Sequence, residues 1–199
     1  MNLQKAIDNL QKNGFHVHYF ETRAEAAEYV LTLTNGRSVG IGGSMTVDAL
    51  GLYDRLSERS DVAWHWKQKD PGVRDRAAAA AVYLTSANAI AETGEIVNID
   101  GNGNRIASMV YGHEQLIILA GTNKLTPDLP SAIHRARNIA SPLNARRFQL
   151  STPCAVAEPM RCHDCASPER ICRGMTILMN DMRGIGRTDV VLIGEELGF

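Results

Sequence analysis

The sequence predicts an α/β fold, a mostly parallel sheet covered by helices. Three observations lead there. Helical and extended patterns alternate along the chain. Several extended segments, above all Gln115-Leu116-Ile117-Ile118-Leu119-Ala120-Gly121, are continuous apolar runs, as strands buried on both faces are. Glycine-rich polar loops follow those runs, where open α/β sheets hold their ligands.

The elements follow in order. Leu3, Ala6, Ile7 and Leu10 recur at helical spacing and Gly14 ends the pattern. His16 to Phe20 reads as a strand. Thr22 caps a helix through Leu33, with Ala26, Ala27, Val30 and Leu31 inward. Ser38 to Gly42 is a short buried strand, and Ser44 caps a helix carrying Val47, Leu50 and Leu56. Val62 to Trp66 is a strand, Pro71 opens a helix through the alanine run, and Ala81–Ser86 and Glu95–Ile99 are strands. Ile106 to Tyr111 is a short helix. Asp128 to Arg146 is mostly helix, broken or kinked at Pro142. Asp189 to Gly194 is the last strand. The length suits one domain over residues 1–199, with a cysteine-rich metal-binding insertion at about 152–175.

A net charge of −1 gives no global basic field, which argues against nucleic acid and anionic lipid as partners. The longest apolar run, Ala77 to Leu84, falls far short of the ~20 residues that cross a bilayer. The N-terminus lacks the apolar core and cleavage site of a signal peptide. A cytoplasmic location is therefore expected, and no membrane.

That expectation bears on the four cysteines, all of which fall in Cys154-(x7)-Cys162-His163-Asp164-Cys165-(x6)-Cys172. In a reducing compartment, clustered thiols read as metal-binding or redox-active. Four thiolates can fill a zinc site or hold one iron–sulfur cluster. Structural zinc usually pairs two C-x2-C knuckles. This segment has one, flanked by single cysteines, and such irregular spacing suits a cubane reached from several loops.

Three polar loops stand at predicted strand ends. In the first, Gly42 and Gly43 allow close backbone approach, while Ser44 and Thr46 add hydroxyls. A tight strand–helix turn capped by Ser44 explains the same residues. The second gathers Thr85, Ser86, Asn88, Glu92 and Thr93, and runs on to Asp100-Gly101-Asn102-Gly103-Asn104-Arg105. Glu92 is a candidate nucleophile, general base or ligand anchor; its plainer role is a carboxylate bracing the turns. The third is Gly121-Thr122-Asn123-Lys124, whose lysine offers a positive charge to a carboxylate or phosphate. Together they suggest one cleft for a small anionic or nucleotide-like ligand, or cofactor.

Five stretches carry a family resemblance: Gly42–Thr46, Thr85–Arg105, Arg137–Pro142, Ser167–Cys172 and Gly194–Phe199. Through them the chain resembles the lactate-utilisation (LUD) domain family, in particular its short stand-alone members with a cysteine-rich C-terminal segment. The resemblance implies a fold similar to the ribose-5-phosphate isomerase, glucosamine-6-phosphate deaminase and CoA-transferase group. It also implies an iron–sulfur redox or accessory role in oxidising a small hydroxy-acid, since some members work beside iron–sulfur subunits that turn lactate into pyruvate. On that reading Cys154, Cys162, Cys165 and Cys172 hold a [4Fe–4S] cluster, with zinc as the alternative. The alternative function is a non-redox isomerase or CoA-transferase-like enzyme. There Glu92, whose context resembles the attacking glutamate of CoA-transferases, does the chemistry beside a structural zinc.

His163 is expected to be a donor behind the metal ligands, and Arg161, Arg170 and Arg173 to offset cluster charge. Arg135, Arg137, Arg146 and Arg147 read as a solvated helix face, or as a dock for an electron-transfer partner protein or an anionic ligand. They lack the interleaved aromatics of a nucleic-acid surface. A second copy of the chain, as a homo-oligomer, is a further candidate partner.

Overall fold

The computed structural model describes residues 1–199. Its strands are β1 (His16–Phe20), β2 (Ser38–Ile41), β3 (Asp61–Trp64), β4 (Val82–Ser86), β5 (Ala89–Ala91), β6 (Ile96–Asp100), β7 (Gln115–Gly121), β8 (Leu125–Thr126), β9 (Gly174–Leu178) and β10 (Thr188–Ile193). Six of them form a wholly parallel sheet in the order β1-β10-β7-β4-β2-β3.

Alternation along the central strands explains why both faces are covered. Leu116, Ile118 and Ala120 enter one core with Tyr83, Val190 and Leu192. Ile117 and Leu119 enter the opposite core with Val82, Leu84, Val191 and Ile193. Because side chains alternate across a strand, a run apolar at every position needs a hydrophobic layer on each side. The first core is closed by Ala6 and Leu10 of α1 (Leu3–Lys12) and by Val73 and Ala77 of α5 (Val73–Ala79). The second is closed by α2 (Arg23–Thr34), α3 (Met45–Ala49) and α4 (Leu52–Ser57).

Capping chemistry sets several boundaries. Thr22 and Glu25 form a reciprocal capping box at the start of α2. Ser44 accepts from the Val47 amide at 3.1 Å at the start of α3. The single helix expected after Ser44 is two, because the chain turns at Gly51 with φ +62°, a conformation glycine adopts without steric cost.

The sequence did not foretell the second sheet, order β8-β5-β6-β9. Its strands β5 and β8 are too short to carry a periodicity. Ile90 and Ile96 point into the first core, while Ala89, Ala91, Val97 and Ile99 meet Ala132 and Ala136. Helix α6 (Asn104–Ser108) follows β6. Small side chains on both partners let α7 (Leu129–Arg135) lie close to the sheet. Between α7 and α8 (Ser141–Arg147) the chain makes a π turn over Ala136–Ala140. The irregularity expected at Pro142 thus falls on the preceding turn. Pro142 has no N–H to donate and its ring displaces the carbonyl four residues earlier, which the wider turn absorbs. The cysteine segment runs from α9 (Pro153–Val156) to β9. No helix is long and apolar enough to cross a membrane.

The order of strands positions the site. From β2 the chain leaves through α3 and α4 over one face of the sheet. From the adjacent β4 it leaves through Ala87 and β5 over the other. Diverging connections from neighbouring parallel strands open a crevice at their carboxyl ends.

Candidate functional site: a cationic cleft at the strand ends

The three polar loops meet in that crevice, a cleft of about 220 Å³. Gly43, Ser44 and Thr46 come from the loop after β2, Ser86 and Asn88 from the end of β4, and Lys124 from the turn after β7. Lys124 joins all three. Its Nζ donates to the Thr46 and Ser86 hydroxyls, both at 2.8 Å, and to the Ala87 carbonyl at 3.0 Å. Only 3% of the residue is exposed, and no carboxylate faces its ammonium. Burial, with Arg135 and Arg105 nearby, pushes the Lys124 ammonium down to about 7.

The walls come from the far end of the second loop, from the turn after β3 and from the end of α8. Arg105 follows β6, its backbone N–H donating to the Asp100 carboxylate at 2.8 Å and its guanidinium 3.8 Å from it. Gly42 makes room for it: a Cβ there would lie 2.7 Å from Arg105 Cγ. Arg147 lies over the Trp66 ring at 5.0 Å and the Phe148 ring at 4.0 Å, a cation–π arrangement that fixes its guanidinium at the rim. His65, Arg170, Arg173 and Phe199 complete the lining. Desolvation, then Arg74, holds the His65 imidazole below its ordinary value, so it is neutral near pH 7.

Some expected residues stand behind the cleft rather than in it. Thr85 is fully buried. Asn123 holds the final segment, accepting from the Leu197 N–H at 3.2 Å and donating to the Gly198 carbonyl at 3.4 Å. Thr93 is exposed and bonds Glu95. Asn88 lines the cleft, but its side-chain oxygen accepts from the Ile99 N–H at 2.7 Å and ties the loop to β6. Arg135, expected on a solvated face, is buried and donates to the carbonyls of Asn123 and Asn88.

Glu92 requires a correction. It does not line the cleft. Its carboxylate accepts from the Asn2 backbone N–H at 2.6 Å and pairs with Lys5 at 3.4 Å, while its carbonyl accepts from Asn9 at 2.6 Å. The hydrogen bond from Asn2 and the Lys5 ammonium hold the carboxyl below its ordinary value. Glu92 braces α1 against the turn after β5; the polar context that suggested chemistry serves that anchorage.

The cysteine segment borders the cleft. Cys162 and Cys172 line a neighbouring cavity with Arg137, and Arg170 and Arg173 line both spaces. Arg170 donates to the carbonyls of Cys165 and Cys172, at 2.8 and 2.9 Å. Cys154 sits on α9, 3.4 Å from the Thr152 hydroxyl, and His163 is exposed. All four thiols are free and half-buried, yet no three Cys, His, Asp or Glu side chains are grouped to hold a metal. As arranged, they do not fit a four-thiolate shell.

Fold and cleft together define an α/β protein with a crevice lined by cationic side chains at a sheet switch point. The chain belongs to the LUD domain family, whose profile matches residues 3–193, and is thus a lactate-utilisation-type protein. Among solved structures it is similar to a DUF162 family protein from Deinococcus radiodurans, with 17% identity, a TM-score of 0.59 and 96% of each chain covered; this likeness concerns the fold. No curated protein matches the chain.

Proposed function

We propose that the cleft binds the carboxylate of a small hydroxy-acid and that the chain serves oxidation of that acid, as catalyst or as accessory. One observation carries this reading. Arg105, Lys124, Arg147, Arg170 and Arg173 line the cleft, and Asp100 is the one carboxylate side chain among them. Lys124 is buried with only neutral acceptors around it, and the excess of cations over carboxylates leaves the cleft positive, a field that an entering anion offsets. Neutral His65 is the candidate acceptor of the substrate hydroxyl proton.

The metal half of the proposal rests on the clustering of Cys154, Cys162, Cys165 and Cys172 in sequence and on Cys162 and Cys172 lining the cavity next to the cleft. A [4Fe–4S] cluster there, or zinc, requires the segment to close further around the metal. A cluster would supply one-electron transfer, which a hydroxy-acid oxidation must hand on to a partner redox protein.

Thermal-shift and calorimetric titration with lactate and pyruvate test the binding half. Both acids should bind, and 1,2-propanediol, which lacks the carboxylate, should not. Equal responses to all three would reject the reading.

A further inference from the structure

Lys124 has more chemistry than anion binding uses. The four other lysines, Lys5, Lys12, Lys67 and Lys69, are exposed. Lys5 and Lys67 pair with carboxylates, Glu92 and Asp48. Lys124 alone is buried, at the floor of a cleft, facing two hydroxyls and a carbonyl.

We propose that Lys124 is a nucleophile whose amine condenses with the keto carbonyl of a 2-oxo acid, the carboxylate being held by the cleft's guanidinium groups. The inference rests on the reading of the cleft as a carboxylate site and names a further reaction there. The amine lone pair bonds to the carbonyl carbon as the C=O π bond breaks onto oxygen, and one proton passes from the nitrogen to that oxygen to give a carbinolamine. That oxygen then leaves as water with a second proton, and the nitrogen becomes a protonated imine. No electrons are gained or lost overall. The iminium draws electrons from the neighbouring carbon, which opens proton exchange at that carbon without an oxidant.

The surroundings suit this step. The hydroxyls can reverse their roles, because Ser86 Oγ lies 3.1 Å from Thr46 Oγ1 and Thr46 Oγ1 lies 3.2 Å from the Leu197 carbonyl. An ammonium needs three acceptors here. A neutral amine donates only twice, so one of the three partners is released, its own hydrogen turning away along this chain, and a rotation of the lysine side chain then presents the lone pair to the carbonyl carbon. The same chain can carry the protons that condensation moves. Desolvation, the first cause of the lowered Lys124 value, keeps a large share of the amine neutral near pH 7.

The test is reductive trapping. The full chain is incubated with pyruvate and sodium cyanoborohydride, digested, and mapped by mass spectrometry. The reduced adduct is expected on Lys124, about tenfold or more over Lys5, Lys12, Lys67 and Lys69, given that exposed lysines are almost wholly protonated at neutral pH. Excess lactate, which has no keto carbonyl, should suppress it. Lys124→Arg, checked for folding by circular dichroism, should keep the cation and lose the adduct. Labelling spread evenly over all lysines, or none on Lys124, overturns the proposal. If pyruvate still shifts the melting temperature while Lys124 stays unlabelled, the carboxylate site stands and only the nucleophile falls. If pyruvate neither binds nor labels, both fall.

Discussion

The Nζ of Lys124 lies 2.8 Å from the Oγ1 of Thr46, joining the loop after β7 to the loop after β2 across the mouth of the sheet. With the bonds to Ser86 and Ala87, one side chain fastens three strand ends.

Stability should therefore depend on pH through Lys124. Its folded value, about 7, lies below the ordinary 10.5. Between those pH values the unfolded chain holds the extra proton, so stability from this group rises with pH across the window and is flat below it. Denaturant melts of wild type and Lys124→Met from pH 6 to 10 should show that slope in the wild type and its loss in the variant. Parallel pH profiles would contradict the buried-cation description.

Arg105→Ala should weaken carboxylate binding about tenfold to a hundredfold, the usual worth of a hydrogen bond to a charged group. Added salt should weaken wild-type binding, the variant less so. Calorimetry at two salt concentrations measures both. Unchanged affinity would remove Arg105 from the site.

Glu92→Gln should destabilise the fold and leave ligand affinity unchanged, since the side chain anchors Asn2 and Lys5 outside the cleft. The folded carboxyl lies below the ordinary 4.5. Its contribution is present above pH 4.5 and is lost as pH falls through the lower folded value. The gap between wild type and variant in acid melts should close there. Lost binding in a variant of native stability would return Glu92 to the site.

Gly40→Ala should cost about 1–3 kcal/mol, as overpacking does. A Cβ at Gly40 would strike the Ala77 backbone carbonyl, which cannot move without shifting α5. Urea melts measure the loss; a neutral substitution would mean that α5 is not held against β2.

Anaerobic purification with iron, sulfide and zinc analysis addresses the cysteines. Four irons and four sulfides per chain, lost in Cys162→Ser and Cys172→Ser, are expected for the cluster. One zinc per chain indicates the alternative, and metal-free protein would reject both.

Much of the fold was legible in the sequence because its signals are local. The apolar run Gln115–Gly121 announces a strand buried on both sides, and Thr22 and Ser44 announce helix starts. The second sheet was not legible, since β5 and β8 depend on partners distant in the chain. The same division runs through the site. Ser44, Thr46, Ser86 and Lys124 were readable as polar loops after strands. Trp66 and Phe148 were not, because only tertiary packing brings them to the cleft. Glu92 misled because a bracing carboxylate and a catalytic one share the same polar neighbourhood.

The central claim is that a small carboxylate sits at the strand ends. A crystal structure of the protein grown with pyruvate or lactate tests it most directly. The account predicts the ligand's carboxylate in the cleft within hydrogen-bonding distance of Arg105 or Lys124. A ligand bound elsewhere, with the cleft holding only water at saturating acid, would contradict it.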